Sequence, residues 1–268
     1  MRKCRQNKNW FFPVILLFLF NLVSPAPANA QIVRKSKIEF PAIDSLLITA
    51  DHYYSRKEYP YILLFHTELS SRGEVDSLAQ RFVKMRYNCL AVDLRSGDKY
   101  GFVKNETAER ALAEGLDVRI EAGEKDIIST LEFVKSLTYN PVLLLGSSSS
   151  ASLCIKVAAG RDNIGGILAF SPGEFFLPEF GVPSVLPDFN TPVFIAGNAT
   201  EEPYLNEMFS GLPDKYKSLM TPSGNSLGRG SELLLSGNPA RDEYWMAVLI
   251  FIKSLNEIPD GEVPCNPL

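Results

Sequence analysis

The stretch PVLLLGSSSSASLCIKVAAG, residues 141–160, decides the fold of this chain. Residues 142–145 form a continuous apolar run of the length and kind of a strand buried on both faces. Gly146 ends the run and four serines follow, Ser147 to Ser150. Leu153, Ile155, Val157 and the alanines then read as a helix packed against a sheet. A strand, a sharp turn bearing serine and a helix make the context of a nucleophile elbow, G-x-S-x-G. Gly146, Ser148 and Ser150 take its three fixed places, with Ser150 where the last glycine would stand. An elbow holds its serine on a strained turn at the head of a helix. There, backbone N–H groups and the helix dipole can stabilise an oxyanion. Ser148 is therefore the candidate nucleophile. The competing reading of the same residues is a plain strand–loop–helix whose serines cap the helix.

Outward from this unit, strand and helix signals alternate. Residues 38–40 and 46–54 read as a hairpin of early strands at a sheet edge. Residues 61–65 (YILLF), 88–94 (NCLAVDL), 164–170 (IGGILAF) and 192–196 (PVFIA) read as central strands, and 215–220 as a last strand. Helical stripes run over 75–85, 121–137, 201–209 and 243–255. Residues 103–118 are polar and poorly periodic and read as a surface excursion. Residues 171–190, rich in Pro and Phe, read as a loop or small lid. Such alternation predicts an α/β fold, a mostly parallel central sheet with helices on both faces. Ligands of such sheets bind outside the carboxyl ends of the strands. The polar loops after Phe65, Leu94, Leu145, Phe170 and Ala196 all leave such ends, so they are expected to converge on one cleft.

Composition bounds the rest. Residues 1–30 read as a secretory signal peptide: Arg2, Lys3, Arg5 and Lys8, an apolar run over 11–23, and Ala28-Asn29-Ala30 as the cleavage site before Gln31. The rival reading is an uncleaved anchor, for which the run is short. No cysteine follows the site to carry a lipid, and no second span follows. The expectation is an exported protein, periplasmic or secreted, without stable membrane insertion, whose residues 31–268 form a single domain. Removing those four basic residues from 27 leaves 23 against 31 acidic ones, a balance of −8. That argues against nucleic acid or an anionic membrane as partner. Cys89 and Cys154 read as buried thiols, and a disulfide from either to Cys265 stays open. The cysteine spacing suits no metal site and the chain has 2 histidines, so neither a metal nor a cofactor is expected. Asn105-Glu106-Thr107 is a glycosylation sequon if the source glycosylates.

Taken together, the chain resembles the α/β hydrolases of the dienelactone-hydrolase-like or small-esterase kind, over about residues 38–255. LLFHTELSSR (63–72) is similar to the family's strand and oxyanion loop, and NCLAVDLRSGD (88–98) to its next strand and turn. LLLGSSSSAS (143–152) stands as the elbow. TPVFIAGNATEE (191–202) matches the segment that carries the family's acid, and GNSLGRGSELLL (224–235) the one that carries its histidine. The resemblance implies an α/β-hydrolase fold with Ser148 as nucleophile. It implies oxyanion donors from the backbone of Ser149 and of Thr67 or Glu68, although Thr67 stands where the family has Gly. Glu201 is the nearest stand-in for the acid, since Asp188 precedes the strand.

The histidine position is the larger departure. It reads Arg229-Gly230-Ser231, and no histidine follows residue 66. The triad needs a base to take the serine proton, and a guanidinium cannot accept one. In the family His66 would shape the oxyanion loop. His52 reads as a surface residue, and Lys99 or Lys104 would act as a base only if buried. The expectation is thus a degenerate triad in a weak or non-catalytic, ligand-binding member of the fold, a pseudoenzyme, taking a small acyl or anionic ligand. A helix N-terminus at 148–150 with Arg229 beside it would make an anion site, unless Arg229 pairs with Glu232 or another surface acid. The alternative is an active serine hydrolase of carboxylic esters or related acyl substrates, using an unrecognised base.

Overall fold

A computed structural model of the chain describes residues 33–255; the signal-peptide reading and Cys265 lie outside the described residues. Eight strands form one sheet: β1 (Arg34–Pro41), β2 (Leu47–Tyr54), β3 (Tyr61–Phe65), β4 (Asn88–Val92), β5 (Val142–Ser147), β6 (Ile164–Phe170), β7 (Val193–Ala196) and β8 (Lys217–Met220). Their spatial order is β1-β2-β4-β3-β5-β6-β7-β8. β2 runs antiparallel to both of its neighbours, and every other pairing is parallel. The helices are α1 (Asp76–Lys84), α2 (Glu106–Ala113), α3 (Gly123–Val134), α4 (Ser149–Ala158), α5 (Glu202–Met208) and α6 (Arg241–Leu255).

The apolar runs form central strands because both of their faces are covered. In β3, Leu63 and Phe65 face one core with Leu144, Ile167 and Ile195, under α3 and α4. Ile62 and Leu64 face the other with Leu145, Leu168 and Phe194, under α1 and α6. Trp245 of α6, 2% exposed, anchors the second core against Phe82. Burying an aromatic of that size withdraws about 150–250 Å² from water, worth roughly 4–6 kcal/mol at about 25 cal/mol per Å².

The structure adds to the sequence reading and corrects it in places. The excursion over 103–118 contains a true helix, α2, whose N-cap is Asn105. Its buried residues are Thr107, Ala108 and Ala111, too small and too few to print a stripe in the sequence. Asn105 is fully buried, and its amide nitrogen donates to the carbonyls of Ser70 and Leu94, so the sequon is closed in the folded chain. His52 is half-buried, its Nε2 3.0 Å from the Tyr61 hydroxyl, and burial lowers its pKa. The segment 171–190 holds two short turns, Val182–Ser184 and Leu186–Asp188. Phe176, Val182, Leu186 and Phe189 root it in the core.

Candidate functional site

The elbow forms at the carboxyl end of β5. Ser148 sits between β5 and α4 with φ 56° and ψ −119°. A positive φ is disfavoured for any residue with a Cβ and costs on the order of 1–3 kcal/mol. The turn is held by the Ser148 N–H donating to the Phe170 carbonyl, 2.8 Å, and the Ala151 N–H donating to the Ser148 carbonyl, 3.0 Å. Ser150, in the place of the motif's last glycine, is buried and bonded. Its hydroxyl donates to the Phe65 carbonyl at 2.9 Å and accepts from the Ser147 N–H at 2.9 Å. The Ser147 hydroxyl accepts from the Ser231 N–H, 2.9 Å. The Ser148 hydroxyl alone of the four has no partner among the described residues.

Two carboxylates, Glu68 and Glu74, line the same pocket as Ser148. Glu68, in the loop after β3, accepts from the Thr67 hydroxyl at 2.8 Å and from the Ser149 hydroxyl at 2.6 Å. Burial pushes the Glu68 carboxyl up, but these bonds and those from the Ser149 and Glu68 backbone outweigh it and hold it below its ordinary range. Glu74, 4% exposed, accepts from the Thr67 N–H at 3.1 Å and from the Ser231 hydroxyl at 2.6 Å. The Thr67 N–H, one of the donors expected from the sequence, is thus engaged by Glu74, and the Ser149 hydroxyl by Glu68.

Glu201 and Arg229 meet. Glu201, at the foot of α5, has a side chain 11% exposed, and its Oε1 lies 2.7 Å from Arg229 Nε. Its Oε2 accepts from the Ser171 hydroxyl at 2.8 Å and the Asn198 N–H at 2.9 Å. Arg229 rides on a loop pressed against the elbow. Gly230 has φ 57°, and a Cβ there would lie 2.3 Å from Ser147 Oγ, so only glycine fits. The Glu232 carboxylate accepts from the Arg229 N–H, 3.3 Å, and its side chain forms no ion pair among the described residues.

His66 is fully buried beneath this loop. Its Nε2 accepts from the Leu94 N–H, 2.9 Å, which leaves Nδ1 to donate to the Thr67 carbonyl, 2.6 Å. Both nitrogens are spent, and neither faces the serine as a base. Lys104 is exposed and pairs with Glu109. Lys99 is exposed, and Asp188 is exposed on its own turn.

Thr67, Glu68, Ser148 and Arg229 line one pocket of about 370 Å³, together with Glu74, Lys99 and others. Tyr100 is on its wall, where burial and the Glu74 and Glu232 carboxylates push the phenol up. A larger open groove of about 740 Å³ lies between the 171–190 segment and α5. It contains none of the elbow residues, so the smaller pocket is the candidate site. Sequence reading missed Glu74 and Ser231, which bond each other across 157 residues, and Ser70, which lines the same pocket. Among the described residues no group of three acidic, histidine or cysteine side chains is placed to hold a metal ion.

The backbone carrying this site has close counterparts in solved structures. An esterase of Pyrococcus furiosus superposes with a TM-score of 0.62 over 83% of this chain and 93% of its own, at 15% identity. A dienelactone hydrolase of Anabaena variabilis gives 0.61 over 82% and 96%, at 16% identity. This chain has the α/β-hydrolase fold. An acetyl xylan esterase of Paenibacillus sp. R4 extends the likeness over 87% of both chains, with a TM-score of 0.60 at 13% identity. No family model matches the sequence, and no curated protein matches it either. The loop after β3, the elbow and the loop before α6 all contribute residues to the one pocket, and the turn after β7 joins them through Glu201, paired with Arg229.

Proposed function

We propose that this chain is an exported α/β-hydrolase-fold protein that binds a small ligand at its elbow without turning over an acyl substrate. The observation that carries this reading is the 2.7 Å pair between Glu201 and Arg229. An acid in that place would orient a base, and here it is bound by a group that cannot take a proton. The engaged nitrogens of His66 support the same conclusion. Without a base the serine hydroxyl is a weak nucleophile, and only the residual rate from binding remains.

An active serine hydrolase is the second reading. The unpartnered Ser148 hydroxyl on its strained turn favours it, as does the likeness to proteins described as esterases. A fluorophosphonate probe and a chromogenic acetate ester separate the two. Neither labelling nor turnover above that of Ser148→Ala is expected. Labelling at Ser148, with turnover lost in Ser148→Ala, would establish the second reading. Export rests on the sequence of residues 1–30: a protein recovered outside the cytoplasm and beginning at Gln31 is expected, and a chain retaining Met1 refutes it.

A further inference from the structure

We propose that the elbow pocket receives a cationic headgroup, the ammonium or amidinium of a small organic molecule, with Glu68, Glu74 and Glu232 as its counter-charges. The inference rests on the ligand-binding reading above. All three carboxylates line the pocket, and none forms an ion pair among the described residues. Glu74 is the telling case, because it is 4% exposed. Buried carboxylates are ordinarily matched by a cation, since hydrogen bonds alone offset only part of the desolvation.

A separate observation points the same way. Ser70 lines the same pocket and is 5% exposed, yet its hydroxyl has no hydrogen-bond partner among the described residues. Buried polar groups are nearly always satisfied, and Ser70 is an exception set in the wall of this pocket. The cations already on the wall do not supply the missing charge. Arg229 is committed to Glu201. Lys99 stands exposed on the two-residue ribbon strand Lys99–Tyr100 and forms no ion pair among the described residues.

An anion is disfavoured at the same spot. The hydroxyl of Ser149 at the head of α4 is taken by the Glu68 carboxylate at 2.6 Å, so an incoming anion would have to displace a like charge. A bare metal ion is disfavoured as well, because the acids are spread around a cavity of about 370 Å³ and do not converge. A cavity of about 370 Å³ has room for a carbon skeleton bearing a positive end.

Calorimetry with diaminopentane, pentanediol and glutarate tests this, because the three share one carbon skeleton and differ in charge. Diaminopentane is expected to bind, pentanediol at least about tenfold more weakly, which is about 1.4 kcal/mol, and glutarate and inorganic phosphate not at all. Glu68→Gln and Glu232→Gln are each expected to weaken diaminopentane severalfold, and Lys99→Met to strengthen it. Glu74→Gln is expected to weaken it most, with a thermal melt to establish that the variant is folded; the two more accessible acids decide the matter if it is not. Absence of heat with diaminopentane overturns the proposal. So does equal or tighter binding of glutarate or phosphate, or unchanged affinity in Glu68→Gln and Glu232→Gln. Labelling of Ser148 by a fluorophosphonate would instead strike the non-catalytic reading, a result these titrations cannot produce.

Discussion

A methyl group on residue 146 has nowhere to go. A Cβ built there would lie 2.4 Å from the Cα of Ala151, 2.5 Å from its nitrogen and 2.7 Å from the carbonyl carbon of Ser150. Non-bonded carbons rest about 3.5–4.0 Å apart, so α4 would have to withdraw by about 1 Å. Every one of those atoms is backbone, and no rotamer change can relieve the clash. Overpacking of this kind costs about 1–3 kcal/mol. The gain from stiffening the unfolded chain returns only about 0.4–1 kcal/mol. Gly146→Ala is therefore expected to lose about 1–2 kcal/mol net in urea unfolding. Gly166→Ala is the control: its nearest neighbour is the Leu255 Cδ1 at 2.9 Å, the movable end of a side chain. Its loss is expected to stay below about 1 kcal/mol. Equal losses in the two variants, or a Gly146→Ala protein as stable as wild type, would refute the claim that the elbow is set by backbone contact.

Other outcomes are fixed by the charged groups around the sheet. Arg95 is fully buried, 2.8 Å from the equally buried Asp126 and 2.6 Å from Asp44; Arg95→Ala strands a buried carboxylate and is expected to cost about 3–5 kcal/mol in urea unfolding. Replacing the buried pair together by Arg95→Met with Asp126→Leu is expected to recover much of that loss. The hydrogen bond from Arg95 holds the Asp44 carboxyl well below its usual range. A depressed pKa stabilises the fold above the unfolded value and is lost as pH falls through and below the ordinary carboxylate range. Melting temperature should therefore fall with acid more steeply in wild type than in Asp44→Asn, and parallel acid limbs would contradict this. Because Asn105 is buried, donating to the Ser70 and Leu94 carbonyls and accepting from the Ala108 N–H, intact-mass measurement of protein from a glycosylating host should show no glycan there, and full occupancy would mean that it is modified before folding.

Most of the sheet is legible because its strands are short apolar runs, and such runs have one stable home between two helical layers. The boundaries of β3 and β6 coincide with their runs. α2 is not legible, since its buried face is made of Thr107, Ala108 and Ala111 and leaves no apolar period. The gathering of Thr67, Glu68, Ser148 and Arg229 into one pocket follows from topology, because each lies in a loop at the same end of the sheet. The bonds inside that pocket do not follow. Ser149 reaches Glu68 across 81 residues, and Ser231 reaches Glu74 across 157. No local pattern encodes such meetings. The role of Arg229 was half readable: its inability to accept a proton is written in its chemistry, but its choice of Glu201 over Glu232 is set by where two loops cross.

Ser150 has a mechanical consequence. By bonding the Phe65 carbonyl, its hydroxyl rivets the root of the Glu68 loop to the first turn of α4, a tie that glycine in its place could not make. The lip of the pocket is thereby denied a hinge at its base, and the acid it carries is presented by a stiff mount that a ligand meets ready-made.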